Sequence, residues 1–262
     1  MNVSGGTTTT YVPWAQPAHE IQSRVTLYCF PHAGGGPSTF ARWKTQLPPS
    51  IDVRALRYRD TGATHGTHPP HPDGITAIAQ RIARGMASLP SEALAFHGHS
   101  MGALVAYETA RILQRTTGQE PILLSVSGHR APHLPRRGDT LHDLPSQEFW
   151  KEIVALGGTP HEAASNAELR AITEPGLRAD YQACERYLHS AGRRLTCDIT
   201  AFVGDSDTTA TPEEVRQWDR HTVGDFSRYV LPGGHFLGGA SHDLMLHALT
   251  QRLMATAERS GG

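Results

Sequence analysis

Six short apolar runs punctuate the chain, near residues 24–30, 52–57, 93–97, 121–127, 198–203 and 226–231. Each has the length of a buried strand rather than of a helix. Between them, apolar residues recur at helical spacing near residues 38–47, 73–89, 101–116, 212–220 and 240–258. Strands alternating with helices predict an α/β fold, with a mostly parallel central sheet flanked by helices on both faces. One interval breaks the rhythm. About seventy residues separate the fourth run from the fifth, far more than an ordinary crossover needs. Its apolar positions, Phe149, Trp150, Ile153, Val154, Leu156, Leu169, Ile172, Leu177, Tyr181 and Leu188, fall at helical intervals. They predict helices packed on one another in an insertion spanning about residues 132–194.

The third run leads straight into Gly98-His99-Ser100-Met101-Gly102, and the helical pattern from Ala103 leads out of it. A GxSxG sequence between a strand and a helix is the signature of a nucleophile elbow. The serine sits on a sharp, strained turn, and glycines flank it where any side chain would clash. A serine hydroxyl needs a base, and the base needs an orienting acid. The fifth run ends in Gly204-Asp205-Ser206-Asp207, a polar loop at the C-terminal end of a strand, where open α/β sheets place their chemistry. Asp207 is the preferred acid, and spacing alone does not exclude Asp205, whose plain alternative is a turn side chain bonded to the backbone. The sixth run stops at Pro232-Gly233-Gly234 and presents His235 on a loop. The chain order Ser, Asp, His matches α/β-hydrolases rather than chymotrypsin-like or subtilisin-like proteases.

Together these motifs resemble those of the type II thioesterases, the discrete α/β-hydrolases that accompany polyketide synthases and nonribosomal peptide synthetases. Phe30-Pro31-His32-Ala33-Gly34-Gly35 is similar to the family's first loop, and Pro232-Gly233-Gly234-His235-Phe236 to its histidine loop. Ser127 to His133 and Leu177 to Tyr181 resemble the two ends of its lid, so the likeness spans roughly residues 24–254. The resemblance implies Asp207, rather than Asp205, as the acid. It also implies a single α/β-hydrolase domain over residues 24–258, with the insertion as a helical lid. The amide of Met101, which follows the nucleophile at a helix N-terminus, is one expected oxyanion donor, and the resemblance points to the amide of Ala33 as the second. His32 and His99 flank this chemistry and are expected to be packing residues.

The implied reaction is serine-catalysed hydrolysis of acyl groups from the phosphopantetheine arm of acyl or peptidyl carrier proteins, editing stalled or misprimed chains. A discrete chain-releasing thioesterase is the alternative, and a catalytically silent binding protein a third reading. No metal or organic cofactor is needed for such chemistry. One departure bears on substrate: many relatives read Arg-Tyr-Pro-Gly-Arg after the second strand, whereas this chain reads Arg57-Tyr58-Arg59-Asp60-Thr61-Gly62. The neighbouring His65, His68 and His71 sit in Pro-rich backbone without a Cys, Asp or Glu in the tract, and read as a solvated loop.

Composition adds exclusions. With 24 basic and 25 acidic residues in 262, the formal net charge of −1 offers no field for nucleic acid or an anionic membrane. Cys29, Cys184 and Cys197 are too few and too scattered for a disulfide framework or a zinc site, which suits a reducing compartment and a cytoplasmic enzyme. Residues 1–23 lack the basic start and apolar core of a targeting segment and read as a disordered tail. A monomer is expected.

Overall fold

Every predicted apolar run forms a strand in the computed structural model, which describes residues 25–58, 74–88, 93–138, 140–158 and 164–260. The expected N-terminal tail, the three-histidine tract and the part of the altered loop from Arg59 onward lie outside the described residues. The strands are β1 (Val25–Phe30), β2 (Ile51–Ala55), β3 (Leu94–His99), β4 (Leu123–Ser127), β5 (Asp198–Gly204) and β6 (Phe226–Leu231). They form one sheet in the order β2-β1-β3-β4-β5-β6, and every adjacent pair is parallel.

All residues of β1 and β4 are buried, as strands covered on both faces must be. The two-residue period of the strand sorts β1 between two cores. Tyr28 and Phe30 join Phe96, Leu124 and Val126 beneath α2 (Gly74–Met86) and α3 (Met101–Thr117). Leu27 and Cys29 join Ala95, Leu123 and Phe202 beneath α7 (Gly239–Ser260) and the short α1 (Trp43–Gln46). The expected helix at 38–47 is a 3₁₀ turn, Pro37–Phe40, followed by α1. Likewise, the segment at 212–220 divides into α6 (Pro212–Arg216), opened by a Thr211–Glu214 capping box, and a 3₁₀ turn, Gln217–His221.

Strand order reverses between β1 and β3, and the crevice at their C-terminal ends receives both the first loop and the elbow. Between β4 and β5 the chain forms α4 (Ser146–Ala155) and α5 (Ala167–Glu185). Phe149, Trp150, Ile153, Ala164 and Leu177 make a separate small core there, with Tyr181 and Ala33 packed against it. Polar contacts fasten the two helices: Glu174 accepts from Trp150 Nε1 at 2.6 Å and from Ser146 Oγ at 2.7 Å, and Arg178 lies over the Phe149 ring at 4.3 Å. Three of the apolar positions do not pack as expected. Leu169 and Ile172 lie on the first turns of α5, before the stretch that is buried from Gly176 onward, and Leu188 falls beyond the helix; all three are exposed.

The three cysteines are free, with Cys29 and Cys197 buried. Among the described residues no helix is long and apolar enough to cross a membrane.

Candidate active site

Ser100 sits between β3 and α3 with φ 54° and ψ −120°, the single non-glycine residue at positive φ among those described. For an L-residue this conformation is strained and has to be enforced by its surroundings. The flanking glycines show how. A Cβ on Gly98 would lie 2.2 Å from the Gly102 carbonyl oxygen, and one on Gly102 would lie 2.0 Å from that of Phe30. Backbone therefore packs on backbone at the elbow, and the hydroxyl is turned outward.

His235 reaches the elbow from the loop after β6. Its Nε2 lies 3.0 Å from Ser100 Oγ and its Nδ1 lies 3.0 Å from Asp207 Oδ2. An Nδ1–H held by a carboxylate leaves the Nε2 lone pair to accept the serine proton. The side chain of Asp207 is fully buried. Burial acts to raise its pKa, but the hydrogen bond and charge of His235, with donors from Thr209, outweigh it and hold the carboxyl below its ordinary value. Oδ1 of Asp207 accepts from both the amide and the hydroxyl of Thr209 at 2.8 Å.

Asp205 makes a different set of contacts. Exposed at the surface, it accepts from the Ser206 hydroxyl at 2.7 Å and from the Gly233 amide at 3.0 Å. It fastens the acid loop to the histidine loop and does not touch the imidazole. A glycine at 204 is needed for the same junction, since a Cβ there would lie 2.2 Å from the Gly233 carbonyl.

A cavity of about 280 Å³ opens onto Ser100, with Ala33, Met101, His235, Tyr181, Leu156 and Arg130 among its lining residues. Met101 is the first residue of α3, so its N–H has no intrahelical acceptor and is available to an anion. Ala33 lies across the same cavity, in the turn closed by the Gly35 amide on the His32 carbonyl at 2.9 Å. His32 and His99 behave as packing residues. His32 meets the Phe236 ring edge-on at 4.9 Å, and His99 Nδ1 lies 3.2 Å from Ser127 Oγ. Burial, followed by the nearby charge of His235, lowers His32 to about 4 and His99 well below its ordinary value, so both stay neutral.

Two polar residues of this site escape a reading of the sequence. Thr209 Oγ1 lies 2.9 Å from His235 Nδ1, so it shares that proton with the carboxylate it also donates to. Asp180, on α5, is 2 % exposed and its Oδ2 accepts from the Gly34 amide at 2.8 Å. Nothing around Thr209 marks it in the sequence. Asp180 did carry a signal, because an acid three residues after Leu177 lies on the apolar stripe of its helix and needs a partner there.

A strained serine on a strand-to-helix turn, bonded through a histidine to a buried carboxylate at one edge of a parallel sheet, defines a serine hydrolase of the α/β-hydrolase fold. Residues 25–250 match the model of the thioesterase domain. Thioesterase PikA5 of Streptomyces venezuelae is 40 % identical over 226 residues, covering 85 % of this chain and 79 % of that protein. The RedJ thioesterase from the prodiginine pathway of Streptomyces coelicolor superposes with a TM-score of 0.81 at 36 % identity, covering 91 % of this chain and 90 % of that one. The type II thioesterase BorB from the borrelidin biosynthetic cluster gives a TM-score of 0.79 at 33 % identity, covering 91 % and 95 %. The chain belongs to the thioesterase family and is a type II thioesterase, a serine thioester hydrolase.

Proposed function

We propose that this protein removes acyl groups from the phosphopantetheine arm of acyl or peptidyl carrier proteins, editing stalled or misprimed chains in a polyketide or nonribosomal peptide pathway. Ser100, Asp207 and His235 are the catalytic residues. Ser100 Oγ attacks the thioester carbonyl carbon as His235 Nε2 takes its proton. The tetrahedral oxyanion rests on the amides of Ala33 and Met101, and the C–S bond breaks as His235 returns the proton to the departing thiol. Water, deprotonated by the same imidazole, then attacks the acyl-serine; the bond from the acyl carbon to Oγ breaks as His235 returns the proton to Ser100, and the acid is released. Asp207 keeps the imidazole in the productive tautomer and stabilises its charged form.

One observation carries this reading: the Ser100–His235–Asp207 relay has two 3.0 Å contacts, and its serine opens into a cavity that Ala33 and Met101 both line. At about 280 Å³, just under the roughly 300–1,000 Å³ that encloses a drug-sized ligand, the cavity accommodates an acyl unit and the tip of the arm. Residues 24–258 act as one domain, and the insertion at about 132–194 is a lid that governs which acyl groups enter. The relatives' pathways support a carrier protein as the partner, with the enzyme acting as a cytoplasmic monomer.

Mass spectrometry of carrier proteins loaded with acyl groups of graded length, before and after exposure to the enzyme, tests this. Short and aberrant acyl groups should be lost as free acids, with no loss by Ser100→Ala. Exclusive release or cyclisation of a long, finished chain would replace editing with product release.

A further inference from the structure

The contact between Asp180 and the first loop joins two parts of the molecule that are 146 positions apart in the chain. The loop is a tight turn. The Gly35 amide bonds the His32 carbonyl, and Ala33 and Gly34 are its central residues, with Gly34 at φ +74°. Positive φ at the second central position is the mark of a type II turn, which differs from type I by a flip of the central peptide. The N–H of that central peptide, between Ala33 and Gly34, is the group that Asp180 Oδ2 accepts at 2.8 Å. A flipped peptide would point the Ala33 carbonyl oxygen at a buried carboxylate, which is repulsive. Leu177, one turn before Asp180 on α5, closes over the same turn, its Cδ1 only 2.7 Å from where a Gly34 side chain would begin.

We propose that Asp180 is a positioning residue for the oxyanion site. By holding the central peptide of the His32–Gly35 turn in one orientation, it fixes the direction of the neighbouring Ala33 amide before substrate arrives. The inference rests on the oxyanion role of Ala33 given above. Its consequence is that α5, part of the insertion, also belongs to the catalytic frame. Donors to an oxyanion act on the transition state and contribute little to ground-state binding, so loosening one lowers kcat and leaves KM nearly unchanged.

The test compares Asp180→Ala, Asp180→Ser and Asp180→Asn with the parent enzyme. The substrates are a small activated thioester and an acyl carrier protein, and the affinity of a trifluoromethyl ketone that mimics the tetrahedral adduct is measured alongside. Outright loss of an oxyanion donor costs about 10²–10³ in rate. Loosening one should cost Asp180→Ala about 10- to 100-fold in kcat on both substrates, with a parallel loss of affinity for the ketone. Asp180→Asn keeps an acceptor oxygen and should stay within about threefold of the parent enzyme. If Asp180→Ala does not fold, Asp180→Ser, which keeps a polar group in the buried position, is read in its place. Unchanged kcat, an effect confined to KM, an unchanged ketone affinity, or equal damage in Asp180→Asn would each overturn the proposal. Ser100→Ala in the same assay separates the two levels of inference. Turnover retained there would remove the catalytic reading itself, whereas an inactive Ser100→Ala beside a fully active Asp180→Ala removes only the role of Asp180.

Discussion

The two walls of the site are built differently. On the sheet side, Ser100, Asp207 and His235 stand on loops at strand ends, each locked by backbone-to-backbone packing or by short polar contacts, from Gly98 against Gly102 to Asp205 on the Gly233 amide. On the other side, α4 and α5 share a small core of their own, while α5 meets the first loop through Leu177 and Asp180 and the main core through Ala183. A wall made from strand ends is set by hydrogen-bond ladders that tolerate little displacement. One made from two helices on a small apolar core can change its side chains, and the shape it offers, without disturbing a sheet. Under the proposed function the first wall supplies reactivity and the second chooses the acyl group, with Asp180 as the point where they meet.

The largest expected effect lies on the sheet wall. Ser100→Ala should lower turnover by about 10⁶-fold while thermal unfolding stays within a few degrees of the parent. A folded variant with parental turnover would end the assignment. Next, Asp207→Asn should cost about 10³–10⁴ in kcat through the wrong histidine tautomer. Asp205→Asn should act mainly on loop stability, since among the described residues its carboxylate bonds Ser206 and Gly233. Steady-state kinetics with the two variants reversed in severity would transfer the acid role to Asp205.

Acid should also strain the sheet side. Burial, first among the causes, lowers His32 and His129 to about 4, His97 and His221 to about 3, and His99 well below 6.5. These imidazoles are neutral in the fold but take up protons once unfolded below pH 6.5. The unfolded state therefore binds more protons, and stability falls as pH drops from about 6.5 towards 4, with up to about five protons taken up on unfolding. Tm measured across that window should decline steeply, and a flat profile would mean that these rings are already charged in the native protein.

The smallest effect on the chemistry should come from the part of the helical wall that only lines the cavity. Leu156 lines the cavity beside Ser100 and is only half-buried, so Leu156→Ala and Leu156→Phe should cost little in folding. They should reorder acyl chains by kcat/KM about 10- to 100-fold, in opposite senses, while a small activated ester reacts at nearly the parental rate. Equal losses on every substrate, in folded variants, would join the end of α4 to the catalytic machinery as well and erase the division.

What was legible in the sequence follows the same line. The inner strands β1 and β4 were readable because burial on both faces leaves a continuous apolar run, and the partly exposed edge strand β6, Phe226–Leu231, also falls on the residues its run predicts. The elbow was readable because its glycines answer a steric demand that is local to five residues. Spacing could not separate Asp205 from Asp207, since both stand on the same loop and only a histidine 28 positions later distinguishes them. The family resemblance resolved in favour of Asp207, and the geometry brings that residue to the imidazole. On the helical wall, periodicity found α4 and α5 but assigned Leu169, Ile172 and Leu188 to a packed interior that the tertiary arrangement does not give them. The role of Asp180 stayed hidden because the Gly34 amide it accepts from lies in a loop far upstream, and a backbone amide has no letter of its own.

The placement of His235 also says when in the life of the chain this enzyme becomes able to react. The elbow needs only β1, β3 and the start of α3, because the walls that strain Ser100 are Phe30, Gly98 and Gly102. Its base arrives 135 positions later, on the loop after an edge strand that pairs with β5 alone. Synthesis runs from the N-terminus, and pairings between distant segments form late. A nascent chain thus displays its serine well before anything can take the proton from it. On the proposed mechanism, hydrolytic competence switches on with the docking of β6, so a molecule that has not finished folding cannot cleave a thioester.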